Sequence, residues 1–273
     1  MNQTTLSRIK TYIKKREVDI DHNNSSYICI HDQPKEMPHE TDRRANRLQD
    51  INMMDFQSKV TMLLRANLKE NQQQCPLPKG MYRVEIMVET SRRVDELPLL
   101  PVMKSVIDSF DREVVANDYD IYQCDIQYRY VGAKTGKTNP DDFLTVQCFD
   151  MYSDILLVDF QSVNINIEPK VKPHVLNFDE HTYFFPEHDF YYVSIVDALH
   201  QNNIQCKASK TYAVDINFSG SIVNKDIDNM AKVYYPILSE GLGVQEDYIT
   251  TLCLRKCKTI DIQSCIEIDI QCN

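Results

Sequence analysis

The sequence predicts a mixed α/β (α+β) fold built from two tandem units within one chain. Three observations predict it. Segments with period-2 apolar alternation are interleaved with segments of helical apolar spacing. The order strand, helix, strand, helix, strand, strand occurs twice. Residues also echo between the two passes: Met81-Tyr82-Arg83-Val84-Glu85-Ile86 parallels Thr211-Tyr212-Ala213-Val214-Asp215-Ile216, and Asn117-Asp118-Tyr119-Asp120-Ile121 parallels Glu246-Asp247-Tyr248-Ile249. The implied internal period is roughly 125 residues, longer than any solenoid repeat. The expected organisation is a basic N-terminal segment over 1–26, a first half over 27–152 and a second over 153–273.

In the first pass, Arg8, Lys10, Lys14, Lys15 and Arg16 accompany Leu6, Ile9, Tyr12 and Ile13, a basic amphipathic pattern that reads either as a helix touching phosphates or a partner or, more plainly, as a solvated helix. Tyr27 to His31 is a short strand, followed by a loop with Pro34 and Pro38. Asp42 to Asn71 is helical, with Leu48, Ile51, Phe56, Val60, Leu64 and Leu68 towards one side and Arg43, Arg44 and Arg47 at its start. Pro76, Pro78 and Gly80 close it. Met81 to Thr90 alternates as a strand does. Leu97 to Phe110 is an apolar helix that Pro98 and Pro101 are expected to interrupt. Strands follow at Ile121 to Val131 and Phe143 to Phe149.

In the second pass, Ile155 to Ile167 reads as strand, Pro169-Lys170-Val171-Lys172-Pro173-His174 as a basic loop, and Phe190 to Gln201 as helix. Lys210 to Phe218 is a half-buried strand, which Ser219 and Gly220 break. Met230, Val233, Tyr234, Ile237 and Leu238 then recur at helical spacing. Asp228 is the expected N-cap, with the helix beginning at Asn229. Pro236 predicts a kink or an early stop. Strands Ile249 to Lys256 and Cys265 to Ile270 complete the order.

Chemistry concentrates in Asn224-Lys225-Asp226-Ile227-Asp228-Asn229-Met230-Ala231-Lys232, with Glu246-Asp247 after one helix and a turn. Carboxylates gathered in one place repel and raise one another's pKa. Folds that gather them commonly do so around a hard cation, for which carboxylate oxygens suit Mg²⁺ or Mn²⁺. Lys232 is four residues beyond Asp228 and shares its side of the helix. The plainer reading is a capped helix and a solvated acidic turn.

The whole chain sets bounds. Its 273 residues and 42% hydrophobic content suffice for a substantial core. No apolar run approaches a membrane span, and the first residues lack a signal-peptide stretch. Nine cysteines without a regular framework point to a reducing cytoplasm. Cys253, Cys257, Cys265 and Cys272 lie near the end, but Cys-x-x-Cys spacing is missing, so packing thiols are expected rather than zinc ligands. The net charge of −10 argues against a general nucleic-acid binder. Residues 1–80 carry 13 basic and 10 acidic side chains, against 9 and 17 in residues 153–273, so only the N-terminal part has a basic excess. Ser219 and Ser221 have no matched His and Asp for covalent catalysis, and His181 and His188 flank an aromatic run better suited to packing.

Asp-x-Asp-Asn-x-x-Lys, a short helix, then an acidic pair before a strand resembles the RusA-type Holliday-junction resolvases. The resemblance implies a metal-dependent endonuclease of DNA recombination and repair acting on branched DNA. It implies Asp226, Asp228 and Asp247 as metal ligands for Mg²⁺ or Mn²⁺, and Lys232 as the catalytic lysine. The family pairs as homodimers, so a fused tandem implies a pseudo-dimer that is itself monomeric. Lys170, Lys172, Arg43, Arg44 and Arg47 are the candidate DNA contacts. In the first half, Leu99 and Leu100 fall near the place of the second aspartate, and only Asp118 stands opposite Asp247. That half reads as a degenerate copy without a metal. The family's basic segment after its first strand is thin here, reduced to Gln33-Pro34-Lys35 and Pro169 to His174. The alternative function is a non-catalytic module on the same fold that binds DNA structure or a protein.

Overall fold

The computed structural model describes residues 27–36, 49–132, 142–163, 167, 195–201, 203, 205–206, 211–257 and 264–273. The fold is α+β. Eight strands form one sheet: β1 (Tyr27–Ile30), β2 (Tyr82–Thr90), β3 (Ile121–Tyr130), β4 (Asp142–Asp150), β5 (Ile155–Val163), β6 (Tyr212–Ser219), β7 (Ile249–Cys257) and β8 (Cys265–Cys272). The described helices are α1 (Gln49–Glu70), α2 (Leu99–Asp108), α3 (195–201) and α4 (Ile227–Glu240).

The strand order is β1-β8-β6-β7-β3-β2-β4-β5. Only β2–β3 and β6–β7 are parallel, each bridged by a helix, so the sheet is mostly antiparallel. The two parallel pairs share a detail of register. In one, Tyr82 faces Ile121 and the register slips before Arg83; in the other, Tyr212 faces Ile249 and slips before Ala213. They meet at the centre, where β3 and β7 run antiparallel from Gln123–Arg255 to Gln127–Thr251.

The alternation seen in the sequence sorts the two faces. Tyr82, Val84, Ile86 and Val88 of β2, and Tyr212, Val214, Ile216 and Phe218 of β6, are buried under the helices. Their odd-numbered neighbours, such as Glu85 and Asp215, lie on the half-exposed opposite face. Helices α2 and α4 both pack on β3 and β7 and touch each other, over the middle of the sheet.

Pro98 and Pro101 do not interrupt α2. Pro98 is its N-cap and Pro101 lies in its first turn, where a missing N–H costs no intrahelical bond. Helix α4 begins two residues earlier than expected. Asp226, not Asp228, is the N-cap, with extended φ/ψ of −77°/129°, and the helix runs from Ile227 to Glu240 without stopping at Pro236.

The edge strands are exchanged relative to the sequence halves. β1, from the start of the first half, pairs with β8; β5, from the start of the second, pairs with β4. Helix α1 covers the β5 edge. Asn67 brackets Asp159, donating to its carbonyl (3.0 Å) and accepting from its N–H (2.9 Å), and Asn71 donates to Leu157 (3.3 Å). Main-chain groups that would otherwise template another strand are thereby occupied.

Candidate active site

The site forms where the N-terminus of α4 meets three other pieces of chain. Asp226, at 4% exposure, has its carboxylate held by Asn229 Nδ2 (2.9 Å). Asn229 in turn accepts from Lys232 Nζ (3.1 Å). The sequence spacing thus produces a relay from Lys232 through Asn229 to Asp226 along one helix face. Asp228 is fully buried.

The second piece comes from the first half. Lys104 of α2 donates to Asp228 Oδ2 (2.6 Å) and to Asp108 Oδ1 (3.1 Å), and Gln57 of α1 donates to the other oxygen of Asp108 (3.3 Å). Burial works against the Lys104 ammonium, but Asp228 and then Asp108 outweigh it and raise its pKa above the ordinary value. A buried polar bridge therefore ties three helices together.

The third piece is the turn before β3. Asp118 is half-buried and its side chain bonds that of Asp226. Burial first, then the charge and hydrogen bond of Asp226, then Asp111 and Asp228, push its pKa up to about 8. The neutral form of Asp118 is thereby favoured beside the Asp226 carboxylate. The turn that carries Asp247 instead packs on the 94–96 turn of the first half. Asp118, which the expected trio of Asp226, Asp228 and Asp247 did not contain, is thus a carboxyl that reaches Asp226. Each turn after a helix faces the other half's helix start, because β3 and β7 adjoin at the centre of the sheet.

Lys256 is a cation that sequence reasoning missed. It is 4% exposed and donates to the carbonyls of Tyr119 and Lys225 (3.0 Å to the latter), with its ammonium 4.4 Å from the centre of the Tyr122 ring. Burial lowers its pKa to about 8, against the opposing pull of Asp226, Asp120, Asp118 and Glu36. The signal was present: Leu252, Leu254 and Lys256 follow one inward alternation, so a lysine occupies an apolar place.

The fourth piece is 33–36, the segment after β1. Gln33 donates to the Ser221 carbonyl (2.9 Å) and accepts from Ser264 Oγ (2.8 Å). Lys35 N–H donates to Tyr234 Oη (2.8 Å), and the Asp226 N–H donates to Glu36 Oε1 (2.8 Å). Gly220 permits this closure. Its φ is +123°, and a Cβ there would lie 2.6 Å from Ser264 Oγ and 2.9 Å from Gln33 Oε1.

Arg43, Arg44, Arg47, Lys170 and Lys172, the candidate DNA contacts, lie outside the described residues, as do His181, His188 and the segment 1–26. No family model matches the chain, and no curated protein or solved structure matches it either. Among the described residues, no helix is long and apolar enough to cross a membrane.

Proposed function

We propose that this protein is a metal-dependent, structure-selective DNA endonuclease resembling the RusA-type resolvases, with one site assembled from both halves of the chain. The observation that carries the reading is the Asp118–Asp226 contact: two carboxyls from distant segments meet beside a third, Asp228. Such a pair suits a divalent cation, which would displace the proton and relieve the repulsion. Asp226 and Asp118 would hold Mg²⁺ or Mn²⁺, which when bound polarises a phosphate and activates water. Asp228, already neutralised by Lys104, fixes the two helices rather than serving first as a ligand. Lys232, held through Asn229, would offset charge developing on the phosphate.

The two halves are proposed to be tandem copies that form within one chain the pairing a homodimer forms between two. The shared register slip at Tyr82 and Tyr212 supports this, as does the alignment of helix starts. Counted from the N-caps, Pro98 stands where Asp226 does, Leu100 where Asp228 does and Lys104 where Lys232 does. The start of α2 keeps the scaffold without the two acids that open α4.

The second reading, a non-catalytic module that binds branched DNA or a protein, is favoured by the deep burial of Asp226 and Asp228 and by the net charge of −10. Cleavage of a labelled four-way junction in Mg²⁺ or Mn²⁺, beside a linear duplex, separates the two. The nuclease reading expects junction cleavage that Asp226→Asn and Asp118→Asn each reduce at least about 100-fold, the scale of losing a principal charge-stabilising group. Junction binding without cleavage in either metal leaves the binding module.

A further inference from the structure

A second cluster of ligating side chains lies on the β1–β8 pair, where Cys29 and Cys265 are 236 positions apart in sequence. On the half-exposed face of the β1–β8 pair, Tyr27 and Cys29 project from one strand, and Cys265 and Glu267 from the next, with Cys29 opposite Glu267. One ligand atom each from Cys29, Cys265 and Glu267 lie within 4.8 Å of one another. Tyr27 Oη donates to Glu267 Oε1 (2.7 Å), which fixes that carboxylate and leaves its second oxygen for another partner.

We propose that Cys29, Cys265 and Glu267 bind a zinc ion that fastens β1 to the sheet. Two thiolates and one carboxylate are a zinc donor set, and soft sulfur ligands disfavour Mg²⁺ and Ca²⁺. Zn–S distances of about 2.3 Å and Zn–O of about 2.0–2.2 Å place tetrahedral ligand atoms roughly 3.5–3.8 Å apart, so closure asks for movement of only about 1 Å. A water completes the fourth position. Without metal, burial first and then Cys265 and Glu267 push the Cys29 thiol up to about 11; burial and then Glu267 raise Cys265. Both are therefore thiols at neutral pH, and binding one Zn²⁺ expels two protons while the two sulfurs become thiolates.

The fastening has a consequence for the acidic site. β1 is only four residues long and rests on a single partner strand, yet it delivers Gln33 and Glu36 to the start of α4. A metal at Cys29 and Cys265 would hold the strand from which that segment springs.

The test uses the full chain with Zn²⁺ and with Co²⁺ as a spectroscopic substitute. The expected result is about one ion per chain and a thiolate-to-cobalt charge-transfer band. Cys29→Ser, Cys265→Ser and Glu267→Gln should each weaken binding at least tenfold. Tyr27→Phe should weaken it by about tenfold, as loss of an outer hydrogen-bond partner does. Cys75→Ser, at an exposed thiol on another part of the chain, should not. Glu267→Gln keeps both thiols and guards against a folding defect in the serine variants, and chelation should speed hydrogen exchange at the Asp226 amide. Absence of Zn²⁺ and Co²⁺ binding at micromolar concentration overturns the proposal. So does binding that the Cys29, Cys265 and Glu267 variants leave unchanged, or a Cys29–Cys265 disulfide in protein isolated under reductant.

Discussion

The starts of α2 and α4 occupy corresponding places over the centre of one sheet, yet their chemistry is opposed. At α4 the capping and second helical positions are Asp226 and Asp228; at α2 they are Pro98 and Leu100. Both helices carry a lysine six residues beyond the cap, Lys232 and Lys104. The apolar end closes well by itself, with Leu99, Leu100 and Val102 buried. The acidic end draws on groups from elsewhere besides its own Asn229: Lys104 on Asp228, Asp118 on Asp226, and Glu36 on the Asp226 amide. The α2 start, without acids at these two places, lends Lys104 to the acidic start of α4. Both halves of the sequence therefore contribute side chains to one cluster.

The largest effect should come from breaking that seam. Lys104→Met leaves Asp228 buried without its ammonium, which costs about 3–5 kcal/mol for a severed buried pair. The double change Lys104→Met with Asp228→Leu makes the α4 start resemble the α2 start and should recover most of that loss. Urea unfolding of the two variants and of Asp228→Leu alone gives the coupling energy. A double variant as unstable as Lys104→Met would mean that the ion pair is not what joins the helices.

Most of the sheet was legible in the sequence, because each strand alternates apolar and polar residues and one face lies under helices. The site was legible only within α4. Asp226, Asp228, Asn229 and Lys232 are local, and helical spacing is enough to align them. The approach of Asp118 to Asp226 was not readable, since it depends on β3 pairing with β7, and nothing near either aspartate encodes that contact. The same holds for β1 and β5, whose alternation fixes a face but not a neighbour. Lys104 and Lys256 were readable in principle as charges at inward positions of apolar patterns. The Cys29–Cys265 approach was hidden for the same reason as Asp118: its two members meet only through strand pairing.

The next prediction sharpens the comparison through pH. Asp118 keeps a proton in the folded state up to about 8, whereas its ordinary pKa is 3.8. Folding therefore takes up a proton between those values, and stability falls as pH rises through the window. The loss should be about 2 kcal/mol once solvent screening of a half-buried carboxyl is allowed for. Lys256 works oppositely at higher pH: its pKa falls from 10.5 to about 8, so stability recovers as pH rises between those values. Asp118→Asn should flatten the decline below pH 8 and leave the rise above it. Saturating Mg²⁺ should flatten the same decline in the unmutated chain, if Asp118 and Asp226 hold the ion. An Asp118→Asn variant with an unaltered profile from pH 4 to 8 would remove the proton of Asp118 from the site.

The smallest effect on stability is expected at Lys232, the counterpart of Lys104. Lys104 is buried and joins two carboxylates of different helices, while Lys232 is half-buried and donates to Asn229 on its own helix. Lys232→Ala should therefore cost only about 1 kcal/mol, the usual net worth of one hydrogen bond. Its effect belongs to function instead. A lysine that offsets charge growing on the phosphate acts in the transition state, so its loss appears in rate and not in ground-state binding. A lysine that only touches backbone phosphate weakens binding and reduces the salt slope by about one. Single-turnover cleavage with saturating enzyme distinguishes these. The expected outcome is a slow rate with near-normal junction affinity. A normal rate with weakened affinity would reassign Lys232 to DNA contact. A stability loss as large as that of Lys104→Met would show that the two lysines, alike in helical position, are alike in structural role.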